Sequence, residues 1–548
     1  MVRQVLFGQE AHAALLRGVD SVADVVRGTL GPRGRWVVMN DEKDHHPILV
    51  NDGVTIAKGL DHPDRLYNLG AQILKQASAR TNEVAGDGTT TSTVLAQAMV
   101  HEGFKLVAAG AEPMALKRGM EKALEAARAQ FKRMAKPLET DEEVGFIASL
   151  AANDASLGQL IMECVKKVGR DGGIAIEDSN TGSDSFEFTE GMQLGTGSGW
   201  ISPYFVTDRE RLECVIEKCY ILITNRRISV VGDLIPTLDK LLQVSKNLLI
   251  VCDGLDGEAL NTLVVNRIKG NLNVCVVKMP GASERQKSRL EDLAIVTGGR
   301  LFTSETGRSL SHVSVQDLGR AQKALVTKDQ TTIFQGLGSK EAVEERLNRL
   351  KHLVPLANDA IDSLGLKERI AKLSGGIAVL RVGAPTEAAL REKKLRVEDA
   401  LNATRAAIDD GIVPGGGLSY IKAAFAVDRV PAEGDEALGV QIVRKALERP
   451  LWQIAENAGL NGNVIVQMVR ELAGPVGFDA RTQDFVNVYE AGILDPLKVV
   501  RSALENAVSV AATLLTAVGA VSIIPGTERM DEEDTDYESP FKKAMGIK

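Results

Sequence analysis

Between Ala11 and Thr29 the apolar positions Leu15, Val19, Val22 and Val26 recur at steps of four, three and four, the spacing of one helical face. The pattern predicts a helix that stops at Thr29-Leu30-Gly31-Pro32-Arg33-Gly34, where two glycines and a proline force a turn. Met1 to Gly8, Trp36 to Met39 and Pro47 to Val50 read as short strands, the last leading into Asn51-Asp52-Gly53. Long helical patterns fill about 64 to 134, and helix with a small strand, Ile174 to Ile176, follows Pro137.

A glycine-rich section opens at Gly191, and the texture changes. Apolar runs at Tyr220 to Thr224, Leu248 to Cys252, Val274 to Lys278 and Arg300 to Thr303 alternate with helical stretches at Gly232 to Val244, Gly257 to Lys269 and Ala282 to Thr297. Continuous apolar strands separated by amphipathic helices predict an α/β domain with a parallel sheet covered on both faces. After Ser374-Gly375-Gly376 and a strand from Ile377 to Val382, long helices are expected from Ala384 to about Phe425, over 434 to 458 and over 462 to 472. The simplest architecture is one helical domain built from both chain ends with the α/β domain inserted between them. Gly191 and Gly375-Gly376 would flank the insertion, either as hinges or as ordinary turn glycines.

At 548 residues the chain exceeds one core and suggests about three or four domains. A net charge of -8 argues against a nucleic-acid binder, which needs clustered Lys and Arg. The cysteines Cys164, Cys214, Cys219, Cys252 and Cys275 lack Cys-x-x-Cys spacing and lie mostly in apolar runs, so they read as buried free thiols of a reducing compartment. His45-His46 reads as a solvated turn, and the run Asp531 to Asp536 as a solvated acidic terminus. The N-terminus lacks the apolar core of a signal peptide, which points to the cytoplasm. Asn506 to Thr527 carries no charge, but Gly519 and Pro525 interrupt it. A buried helix followed by a strand at Ala520 to Ile524 fits better than a membrane span.

The chemistry concentrates at Val84-Ala85-Gly86-Asp87-Gly88-Thr89-Thr90-Thr91-Ser92, where two glycines, an acid and a row of hydroxyls open an alanine-rich helix. Unpaired N–H groups and the positive end of the helix dipole attract a phosphate there, and glycine lets the backbone approach it. An acid in the same turn would repel a bare phosphate but suits one carried with Mg²⁺. A plain N-cap explains the same residues equally well. No Gly-Lys-Ser/Thr follows, so this is not a Walker A loop.

Six separated motifs then line up in one order: Thr29-Leu30-Gly31-Pro32, Asp52-Gly53, Asp87 to Thr91, Arg396 to Arg405, Gly415-Gly416-Gly417 and Gly492-Ile493-Leu494-Asp495-Pro496. Together they resemble the bacterial group I chaperonins of the GroEL type, from Phe7-Gly8 to about Pro525. The resemblance implies a multidomain α and α/β subunit. Its parts would be a helical equatorial ATP-binding domain at 1–134 and 410–548, an intermediate hinge domain at 135–190 and 377–409, and an inserted α/β apical domain at 191–376. It implies an ATP hydrolase using ATP, Mg²⁺ and K⁺. Thr29, Leu30, Gly31, Pro32, Asn51, Asp87, Gly88, Thr89, Thr90, Thr91 and Gly416 would surround the phosphates, with Asp87 on Mg²⁺. Asp479, Ala480, Arg481, Ile493 and Asp495 would face base and ribose. Asp399 would position the attacking water with Asp52 assisting, although an acid in that context is more often a cap or a surface residue.

The same resemblance places substrate binding at Trp200, Tyr204, Phe205, Ile235, Leu238, Leu260, Val264 and Val265, residues whose pattern alone would favour the core of the α/β domain. Partners implied are unfolded or partly folded proteins, a heptameric co-chaperonin of the GroES type, and further copies in a seven-subunit ring stacked in pairs. The chain departs from the family in several places. A glycine-methionine tail is replaced by the acidic run, Gly195-Thr196-Gly197-Ser198-Gly199 is long and glycine-rich, and Trp200 stands where tyrosine is usual. Trp452 and Asn461 replace a charged pair at the ring-ring contact, which weakens the case for two rings against one. These differences suit a specialised paralogue or a phage-encoded member. Two rival readings are a holding or scaffolding ring with little turnover, and a metabolic ATPase.

Overall fold

Helix Gly8–Val26 in the computed structural model buries Leu15, Val19, Val22 and Val26, the face that the four-three-four spacing predicts. The structure describes residues 3–40, 47–170, 172–179, 182–195, 197–208, 211–279, 283–303, 310–356, 360–374 and 376–523. His45-His46, Thr196, Gly375, Pro525 and the acidic terminus lie outside them. Two compact units result, Met1–Gln159 with Thr386–Lys548, and Leu160–Pro385.

The first unit is built on helices Gly8–Val26, Arg65–Ala85, Thr89–Ala108, Pro113–Met134 and Leu497–Leu515, which share one apolar core. Two glycines set how closely the first pair approaches. A Cβ on Gly18 would lie 1.7 Å from the Tyr67 carbonyl oxygen, and one on Gly70 would lie 2.0 Å from that of Leu15. Backbone cannot yield there as a side-chain tip would. Gly18→Ala is therefore expected to force the helices apart and destabilise this unit by about 3 kcal/mol, read as a lowered urea midpoint. An unchanged midpoint would show that the pair separates freely.

Strand Arg3–Phe7 pairs antiparallel with Gly519–Ile523, so the two ends of the described chain close on each other. No helix among the described residues is long and apolar enough to cross a membrane. The long helix expected from Ala384 to Phe425 is in fact two, Glu387–Asp410 and Leu418–Val427. Gly411, Gly416 and Gly417 at positive φ break it, and Ile412–Pro414 leaves the helix to pair with Leu494–Pro496. The stretch from 434 to 458 likewise divides, into Gly434–Ala446 and Arg449–Asn457.

In the second unit Cys214–Thr224, Asn247–Cys252, Asn273–Lys278 and Leu301–Phe302 pair parallel, as their continuous apolar character predicts. The sheet is mixed rather than wholly parallel. Gly319–Val326 adds antiparallel to Cys214–Thr224, followed by Thr331–Gly336 and Gly191–Gln193. Gly319–Val326 mixes buried and exposed residues, the habit of an antiparallel strand, and so escapes a search for unbroken apolar runs. A small sheet joins Gly173–Asp178, Ile377–Val382 and Ser185–Thr189. Gly191 is needed for close approach, since a Cβ would meet the Ile333 carbonyl oxygen at 2.5 Å. All five cysteines are buried and free.

Candidate functional site

Gly86 and Gly88 both take left-handed backbone, ending helix Arg65–Ala85 and starting Thr89–Ala108 with only Asp87 between them. L-residues avoid that region, so glycine fixes where the acid and the threonines point. A second helix start faces this turn. Asp52 caps Gly53–Lys58, accepting from the N–H of Val54 at 3.2 Å and of Thr55 at 2.8 Å, and from the Thr55 hydroxyl at 2.6 Å. A Cβ on Gly53 would lie 2.5 Å from Thr90 Oγ1 and 2.9 Å from Thr89 Oγ1, so the missing side chain is what lets the two starts meet. Thr29 Oγ1 lies 3.2 Å from Thr90 Oγ1 and ties in the turn after the first helix.

These pieces line a cavity of about 350 Å³ in the first unit. Thr29 to Pro32, Asn51, Asp52, Asp87 to Thr91, Asp399, Gly416, Asp479, Ala480, Arg481, Ile493 and Asp495 all border it. Residues as far apart as Thr29 and Asp495 are thus brought together. The pairing of Val413 with Asp495 carries that acid beside the Gly415 to Gly417 turn, where a Cβ on Gly415 would meet Asp495 Oδ1 at 3.0 Å. Sequence reading misses an apolar side of the cavity, formed by Phe146, Ile147, Leu150, Tyr420, Ile454 and Phe478. Nothing in their local pattern separates them from core residues.

Electrostatically the cavity is acidic. Asp52, Asp87, Asp399, Asp479 and Asp495 line it, against Arg396 and Arg481. Arg396 is held by Glu392, by Asp154 at 3.8 Å and by the Ala152 carbonyl at 3.2 Å, while Arg481 donates to Asn153 Oδ1 at 3.2 Å. Burial, then the charges of Asp52 and Asp87, raise the Asp399 carboxyl well above its ordinary value. Burial raises Asp87 as well, with the Asp52 charge adding to it against an opposing hydrogen bond from the Gly88 N–H. Asp495 is pushed up to about 7 by burial and by Asp87. Mutually repelling carboxylates beside unpaired helix N–H groups fit a divalent cation arriving with phosphate. Among the described residues no three acidic, His or Cys groups form a ready-made metal cage.

Asp495 carries a stability consequence. Its folded value of about 7 lies above the ordinary 3.8, so between those limits the folded state holds a proton that the unfolded chain has released. Stability therefore falls as pH rises through that window. In nucleotide-free protein, Asp495→Asn is expected to flatten the decline of the thermal midpoint between about pH 5 and about pH 7.5. An unaltered slope would remove Asp495 as its source.

The residues matched to substrate binding lie in the second unit and divide by exposure. Tyr204 is 65% exposed, Ile235 46% and Val265 46%. Trp200, Leu238, Leu260 and Val264 are half-buried against the α/β core, with Trp200 Nε1 donating to the Leu212 carbonyl at 2.9 Å. Phe205 corrects the expectation: it is wholly buried and anchors the turn Pro203–Phe205, offering nothing to a ligand. Helices Ile235–Leu242 and Gly257–Ile268 both pack on the short turn Val231–Asp233, and Val230 and Ile268 add further exposed apolar surface.

Comparison with known proteins agrees in extent. Residues 22–518 match the TCP-1/cpn60 chaperonin family model. The chaperonin gp146 from the bacteriophage EL 2 (Pseudomonas aeruginosa), solved in the presence of ATP-BeFx, has a similar fold. The TM-score is 0.73 at 19% identity, covering 95% of this chain and 99% of that one.

Proposed function

Because this chain belongs to the TCP-1/cpn60 chaperonin family, we propose that it is an ATP-driven folding machine that encloses non-native proteins within a ring of its own copies. The carrying observation is the convergence of two helix starts and the acids Asp52, Asp87, Asp399 and Asp495 on one cavity. In this reading 1–134 with 410–548 binds nucleotide, 135–190 with 377–409 is the hinge, and 191–376 binds substrate.

The backbone N–H groups of Thr89 to Thr91, behind the Gly88 turn, and the hydroxyls of Thr89, Thr90 and Thr91 bind the phosphates, with Thr29 to Pro32, Asn51 and Gly416 closing around them. Ile493 and the Asp479 to Arg481 turn hold base and ribose beside Asp495. Mg²⁺, held by Asp87, would neutralise charge between the phosphates and the acids. Asp399 orients the attacking water and accepts its proton, with Asp52 fixed by its capping bonds alongside. Positioning and electrostatics are most of what phosphoryl transfer requires. K⁺ would join as a second cation.

Substrate capture falls to the exposed apolar face containing Tyr204, Ile235 and Val265. Such a surface binds by desolvation with little sequence preference, which suits unfolded chains. Nucleotide can move the apical part only by favouring one conformation over another. Ile235→Glu with Val265→Glu is expected to abolish capture of a denatured model enzyme while leaving ATPase activity within about two-fold, since neither residue borders the acidic cavity. Capture at the unmutated level would remove this surface from the mechanism.

A seven-membered ring, paired or single, and a heptameric co-chaperonin complete the proposal. Native mass and negative-stain imaging, with ATPase and refolding assays on the full chain, test it directly. A ring without ATPase activity favours a scaffold, and turnover without a ring favours a metabolic ATPase.

A further inference from the structure

Besides the acidic cavity, the first unit carries a cleft of opposite sign. Arg133, Lys136, Lys422 and Arg429 line a space of about 810 Å³ together with Phe425 and Tyr489, and no Asp or Glu among the described residues borders it. In a chain of net charge -8 this is an unusual concentration of one sign. The four cations come from separate places, the end of helix Pro113–Met134, the bridge of Lys136 to Ile412, helix Leu418–Val427 and the turn beyond it. Among the described residues none of the four has a carboxylate partner.

Two of them are held in place without a counter-charge. Lys136 Nζ sits 3.8 Å from the centroid of the Tyr489 ring, and Lys422 Nζ donates to the Leu472 carbonyl at 3.1 Å. Burial lowers the Lys422 pKa, so its charge is partly stripped of water with no anion to replace it. A desolvated cation gains most when a compact anion arrives, because their attraction strengthens in the lower local dielectric.

We propose that this cleft is a second ligand site, for a small polyanion of the oligophosphate class. Four cations match several phosphate charges, the volume is that of a small-molecule site, and the rings of Phe425 and Tyr489 offer a flat apolar wall. The site also adjoins the elements of the acidic cavity. Pro414 borders the cleft and Gly416 the cavity, while hairpin Val476–Asp479 with Asp484–Asn487 runs between Pro475 of the cleft and Asp479 of the cavity.

The test uses the full-length protein and inorganic tripolyphosphate in magnesium-free buffer containing a chelator, conditions under which the acidic cavity repels bare phosphate. Calorimetric titration is expected to show one salt-sensitive site per chain. Arg133→Gln with Arg429→Gln should weaken it by about a hundred-fold, roughly ten-fold for each lost charge-assisted contact. Both side chains are exposed, and neither has a carboxylate partner among the described residues, so folding should survive; an unchanged thermal midpoint verifies it. Asp87→Asn should leave tripolyphosphate affinity unaltered, separating this site from the nucleotide reading. No binding at millimolar tripolyphosphate, or full binding by the doubly substituted protein, overturns the proposal.

Discussion

Asp399→Asn is expected to lower single-turnover ATP hydrolysis by at least about 10²-fold while leaving nucleotide affinity within a few-fold, since an acid that only positions and deprotonates water contributes on that scale. Asp399 rides on helix Glu387–Asp410, one turn after Arg396, whose guanidinium is fixed by Glu392 and the Ala152 carbonyl. That anchorage sets the direction in which the carboxylate enters the cavity. Its raised pKa, caused first by burial and then by Asp52 and Asp87, is what a base acting near neutrality needs. It also gives a sign to the pH dependence. Protonation at low pH disables the base, so the hydrolysis rate of the unmutated protein should rise with pH, and the residual rate of the variant should not. Hydrolysis within about ten-fold of the parent would assign Asp399 to structure, and concurrent loss of nucleotide binding would place it among the phosphate contacts.

Asp87→Asn is expected to have effects of opposite sign on the empty and the loaded protein. Asp87 is buried beside Asp52, and its charge also raises Asp399 and Asp495. Removing that charge relieves repulsion on three neighbours, so the nucleotide-free thermal midpoint should rise. Asparagine keeps the oxygen that accepts the Gly88 N–H, and the turn between the two helices survives. Loaded protein should respond the other way. A ligand at about a hundred times its dissociation constant stabilises by about 2.7 kcal/mol, and the variant should lose most of that increment with Mg·ATP. Differential scanning fluorimetry with and without Mg·ATP reads both signs. If the substitution lowers the empty midpoint, the acids are satisfied without a cation; if the Mg·ATP increment persists, the cation is held elsewhere.

The uneven legibility of this chain has physical causes. Helix Gly8–Val26 is readable because one face packs against one core, so its periodicity survives in sequence. The start of Thr89–Ala108 is readable because left-handed turns favour glycine and orphan N–H groups favour hydroxyls and acids. Strand Gly319–Val326 escapes notice because a mixture of buried and exposed positions is a weaker signal than a buried run, and Thr331–Gly336 because two threonines and a glutamine interrupt its apolar character. Phe205 looks like a ligand contact because a motif places a residue along the chain but does not say which way its ring turns.

Chain order alone thus specifies the local elements, the two glycine-framed turns, the sequence of the motifs and the family resemblance they carry. It took the folded arrangement to establish that Phe146, Ile454 and Tyr420 wall the cavity, that Gly53 stands against Thr90, and that five carboxylates face two engaged arginines. Dihedral preference and burial periodicity are local properties, written within a few residues of one another. Field and shape at a site are sums over residues hundreds of positions apart, and only folding brings those into one place.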